Sequence, residues 1–138
     1  MKKLLILALF FSMNLCFASS EHRYKTISET NSNRFVNTAK IRFLDKMTAK
    51  SFTSNIKIGE QTRFEKLIVI PLKCWKSYPE ETPENKLLLK VFEVNKKGES
   101  KQIFYGWIFS STPSVSGIEH SMYDLTLEDC NNNYDNKL

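Results

Sequence analysis

Glycine and proline are scarce, four of each in 138 residues, which excludes a collagen-like chain and a Pro/Gly-rich low-complexity one. Cysteine is scarcer: Cys16, Cys74 and Cys130, with no CxxC pair. Histidine occurs only at His22 and His120, so a metal centre built on several imidazoles is excluded. No internal repeat, heptad pattern or helix of convincing length is present. What remains is an ordinary globular composition, 41% hydrophobic, 12% aromatic and 25% charged, sized for one small domain.

The N-terminus has the order of a secretory signal peptide. Lys2 and Lys3 precede an apolar run from Leu4 to Phe11, and small side chains at Cys16 and Ala18 predict cleavage between Ala18 and Ser19. Two rivals are anchoring through Cys16 as a lipoprotein and an uncleaved membrane helix. Leu15 stands where a lipobox wants a small residue, and Ser12 and Asn14 interrupt the run before the roughly 20 apolar residues that a span needs. The expectation is a periplasmic protein with no transmembrane segment after cleavage. In that oxidising compartment Cys74 and Cys130 are left to pair with each other, closing a loop worth about 4 kcal/mol in the chain-entropy model. The alternatives for them, a thiol nucleophile or a metal ligand, lack neighbours to assist.

The formal charge of +5 includes Lys2 and Lys3, and without them 18 basic residues face 15 acidic ones. This mild, dispersed excess argues against a nucleic-acid partner.

Residues 19–38 are polar and without period, which predicts a flexible leader, and the tail 131–138 reads alike. Between them, residues 39–130 show short apolar stretches punctuated by turns. Strands are expected around Ile41 and Phe43, Ile56 and Ile58, Phe64 to Leu72, Lys86 to Val94, Gln102 to Phe109, and Met122 to Glu128. Pro71 should put its strand at an edge or on a bulge. The stretch from Gln102 to Phe109 is apolar on both faces, which predicts a central strand with Trp107 and its neighbours mostly in the core. The fold class is all-β: a small antiparallel sandwich or barrel of six to eight short strands, closed by one disulfide.

Three segments fall outside this pattern: PEETPEN (79–85), SSTPSVSG (110–117) and IEHSMYDL (118–125). Loops on a rigid scaffold are where binding residues are commonly placed. Glu80, Glu81 and Glu84 suggest a calcium loop but lack EF-hand spacing, so a solvated acidic loop is expected. His120 lies in sequence near Glu119, Tyr123, Asp124 and several serines, yet no GxSxG elbow accompanies it. A loop-fixing or recognition role is expected for the imidazole, and general-base catalysis oriented by Asp124 or Glu119 is the alternative. Trp75 and Tyr78 could extend an aromatic patch toward PEETPEN, and packing against the disulfide explains Trp75 without function. No metal and no cofactor are expected.

The run from Phe43 to Cys130 resembles a family of small exported bacterial proteins, the domain of unknown function 2155. The resemblance is carried by FLDKMT (43–48), Cys74 followed by PEETPEN, FYGWIFSSTPS (104–114) and EHSMYDLTLEDC (119–130). Ile108 and Ser121 depart from it, standing where methionine and proline are expected. It implies a signal peptide, a Cys74–Cys130 pair and a periplasmic home, and it implies no activity.

Together these observations point to a non-enzymatic binding or scaffolding module of the cell envelope. Its expected surface is the loop from Ser110 to Asp124 with Trp107, His120 and Tyr123 near it, a shallow apolar patch rimmed by Ser114, Glu119 and Asp124 with Ser111 and Pro113 as further candidates, offered to another envelope protein or an envelope ligand. The alternative is an envelope hydrolase using His120 and Asp124. A third expectation, a stabilising subunit of a larger assembly, would be favoured by an exposed edge strand.

Overall fold

A computed structural model describes residues 34–132. Eight strands follow in chain order: β1 (Phe35–Val36), β2 (Thr38–Asp45), β3 (Lys50–Lys57), β4 (Thr62–Phe64), β5 (Leu67–Lys76), β6 (Asn85–Val94), β7 (Ser100–Phe109) and β8 (Tyr123–Asn131). All pair antiparallel, and no helix occurs among the described residues. The strands form a five-stranded sheet, ordered β1-β5-β6-β7 with β4 also on β5, and a three-stranded sheet ordered β3-β2-β8. This is a sandwich rather than a barrel.

Alternation builds the core. Leu67, Val69, Leu87, Leu89, Val91 and Ile108 face inward from the larger sheet, against Ala39, Ile41, Phe43, Leu125 and Leu127 from the smaller one. Cys74 on β5 and Cys130 on β8 are both fully buried and form a disulfide that ties the two sheets together. Opposite a shift of register between Lys40 and Ile41, Glu128 stands outward and pairs with both Lys40 and Arg42.

Two features differ from the sequence expectations, the start and end of ordered pairing and the place of β7, while the bulge expected at Pro71 is found. Ordered pairing begins inside the stretch read as a leader, because Phe35 and Val36 pair with Trp75 and Cys74, and β2 starts at Thr38. Two apolar residues make no visible period; β5 supplies their ladder. Similarly Asn131, first residue of the expected tail, closes β8. The signal segment and the rest of leader and tail lie outside the described residues. Pro71 sits at that bulge, not on an edge strand: the register shifts between Pro71 and Lys73, in the interval between the partners of β4 and those of β1. A proline removes no ladder bond on a side where no strand is paired. Lastly, β7 ends the sheet instead of lying in its middle.

Candidate binding surface

The irregular segments are held by side chains acting on backbone. At the turn from β2 to β3, Asp45 accepts the Thr48 hydroxyl at 2.8 Å and the Met47 N–H at 2.8 Å, bonds that hold its carboxyl below the usual range. Glu84 is no solvated loop residue. Its carboxylate accepts from the Asn85 N–H at 3.0 Å, the Ser110 hydroxyl at 3.1 Å, the Ser111 N–H at 3.2 Å and the Ser111 hydroxyl. Burial alone would raise this carboxyl, but the donors from Ser111, Ser110 and Asn85 outweigh it and hold it low. PEETPEN and SSTPS are thereby joined.

His120 performs a comparable task at the other end of the loop. Its Nδ1 accepts the backbone N–H groups of Met122 and Tyr123, both at 3.2 Å, so the ring proton is assigned to Nε2, which faces the Glu93 carboxylate at 3.4 Å. The ring stacks on Tyr123 with centroids 5.2 Å apart, and the side chain is only 7% exposed. Lys46 completes the junction, donating from Nζ to the His120 carbonyl at 3.0 Å and from its N–H to the Met122 carbonyl at 2.8 Å. The lone pair that a general base requires is engaged by two amides, and the bonds of the ring go to Met122, Tyr123 and Glu93 rather than to Asp124 or a serine.

The expected patch is therefore divided. Pro113, Ser114, Glu119 and Asp124 share a hollow of about 470 Å³ with Lys46, Val115, Gly117, Ile118 and Thr126, and its lining is polar where an apolar patch was expected. The cause is β8's alternation, which turns Asp124 and Thr126 outward and Tyr123 and Leu125 into the core. Ser111 belongs to the Glu84 junction, Tyr123 is buried, and Trp107 lies elsewhere.

Trp107 lies on the outer face of the five-stranded sheet. Cross-strand register sets out that face in rows: Phe35, Trp75, Lys86 and Phe109; then Lys73, Leu88 and Trp107; then Ile70, Lys90 and Tyr105; then Arg63, Ile68, Phe92 and Gln102. None of these residues is buried, and Phe35 and Trp107 are 44% and 38% exposed. Phe35, Trp75, Lys86, Trp107 and Phe109 enclose a groove of about 380 Å³. Ammonium groups lie over the rings: Lys86 Nζ is 4.4 Å from the Trp75 ring centroid, and Lys90 Nζ is 5.3 Å from that of Tyr105. At the rim, Arg34 makes a two-point pair with Glu81, at 2.7 and 3.0 Å, and lies 4.2 Å over the Tyr78 ring. Trp75 thus faces away from its neighbour Cys74 instead of covering the disulfide.

A family model described as "Uncharacterized protein conserved in bacteria (DUF2155)" matches residues 39–130. The chain belongs to this family. It is also similar to "Uncharacterized protein RP359" of Rickettsia prowazekii (strain Madrid E), 33% identical over 91 residues. That alignment covers 66% of this chain and 59% of the relative, so the chain spans less than two thirds of the relative's length. No solved structure matches.

In this DUF2155 domain the segments that carry the resemblance meet in space: FLDKMT meets EHSMYDL through Lys46 and His120, and PEETPEN meets SSTPS through Glu84. Sequence reasoning missed Phe35, Lys86 and Phe109 as surface residues. The signal was present in β6, where Lys86, Leu88 and Lys90 alternate with the buried Leu87, Leu89 and Val91. Lysine marks the outer parity there, and register carries that parity to Trp107 and Phe109. Among the described residues no group of three or more metal-ligating side chains is found, and no helix is long and apolar enough to cross a membrane.

Proposed function

We propose that this domain is a non-catalytic binding module exported to the bacterial periplasm, which docks another envelope protein on the outer face of its five-stranded sheet. The observation that carries this reading is the open groove of Phe35, Trp75, Trp107 and Phe109 with Lys86 over it. Large aromatic side chains left half-exposed together mark interaction surfaces on small soluble domains. Export is supported by the signal-like segment before Ser19 and by a buried disulfide, which persists in oxidising compartments. The hydrolase alternative finds no support in a histidine whose Nδ1 already accepts two amides.

The test is a photo-crosslinking amino acid placed at position 107 in cells, with position 52 as control, since Phe52 is half-exposed on the other sheet. A discrete protein adduct from position 107 and none from position 52 is expected. Equal labelling from both positions, or none from 107, would count against the reading.

A further inference from the structure

Resting on that reading, we propose that the partner enters as an extended acidic strand, added to the open edge of β7. The Ser110 N–H donates to the Asn85 carbonyl on the β6 side at 3.0 Å, whereas the Phe109 N–H turns away and donates to the Ser116 hydroxyl at 3.1 Å. Register is regular from Phe109↔Lys86 to Phe104↔Val91, so the backbone polar groups of Trp107 and Tyr105 share the parity of Phe109 and point away from β6. Among the described residues no strand pairs with that side of β7. Edge strands are usually guarded by charge or proline. The six residues Phe104 to Phe109 contain neither.

Charge selects the occupant. Every charged residue that register places on the adjoining outer face is a cation: Arg63, Lys73, Lys86 and Lys90. The Lys90 ammonium group lies over the Tyr105 ring of β7 at 5.3 Å, and that of Lys86 stands between the Trp75 ring at 4.4 Å and the Phe109 ring at 6.0 Å. A second copy pairing edge to edge would set these cations against their own kind. A strand alternating carboxylates with apolar side chains would satisfy the backbone of β7 and neutralise the lysines together.

The probe is a synthetic octapeptide alternating glutamate with valine, titrated into the disulfide-bonded protein and followed by the fluorescence of its tryptophans. Saturable binding that weakens with salt is expected, with about tenfold loss when lysine replaces glutamate or when alternate peptide nitrogens are methylated in the register that faces β7. Tyr105→Pro, which removes an outward N–H, should lose about tenfold more affinity than Tyr105→Ala. No binding, or equal binding of the methylated peptides, overturns strand addition, as does a homodimer abolished by Tyr105→Pro. Binding of phosphatidylglycerol vesicles that needs Trp107, without peptide binding, also overturns it. Whether the binding-module reading stands is decided separately by the adduct at position 107 in cells.

Discussion

His120 and Glu84 show how single side chains set the loop between β7 and β8. Each takes backbone N–H groups that no ladder reaches, and each carries a second contact that fixes its direction, Tyr123 stacking for one and the Ser110 and Ser111 hydroxyls for the other. His120→Ala leaves the Met122 and Tyr123 amides without their acceptor, and should cost about 2 kcal/mol in urea unfolding. For Glu84 the prediction concerns pH. Its carboxyl is held below its ordinary value of 4.5, so its stabilisation is full above that value and is lost as pH falls through the lower folded value. Glu84→Gln should therefore be less stable than wild type by about 1 kcal/mol at neutral pH, and the gap should close as pH falls below 4.5. Unfolding midpoints across that range measure it. The sequence placed both residues in the right loops. It did not reveal their bonds, since three glutamates around a proline look alike until folding sets one of them, Glu84, against Ser110 and Ser111.

Among the elements, β7 departs most from its sequence pattern. Local alternation made its strand character legible, and the same pattern concealed its place, because a strand apolar on both faces suits the middle of a sheet and a partner-binding edge equally. Ile108 and Trp107 are neighbours on opposite faces, 3% and 38% exposed. Truncating Ile108 to alanine should cost about 3 kcal/mol, as for a buried aliphatic side chain. Trp107→Ala should cost less than about 1 kcal/mol, since Trp107 is 38% exposed and no strand among the described residues covers its face. Chemical denaturation of the two variants compares the faces directly, and a larger loss for Trp107 would show that its face is core. Gly106, next to Trp107, leaves room for the Phe104 ring, which would lie 3.3 Å from an added Cβ.

For the whole molecule, the all-β class followed from alternation and turn spacing, and the disulfide was expected from the two cysteines outside the signal-like segment, while sandwich and barrel stayed open until the strands were paired. The binding face did not follow. A net charge reads as mild and dispersed when counted along the chain, whereas register gathers Arg63, Lys73, Lys86 and Lys90 onto one side of one sheet. On the opposite sheet Lys40 and Arg42 are both paired with Glu128. The two outer faces thus differ in kind, one neutralised internally and one presenting cations over aromatic rings. The most direct measurement is hydroxyl-radical footprinting by mass spectrometry, on the purified protein and inside intact cells. Trp107 and Phe109 should be oxidised in the purified protein and protected in cells, while Met47 and Phe52 are modified alike in both. Equal oxidation of Trp107 in cells and in isolation would contradict a docked outer face.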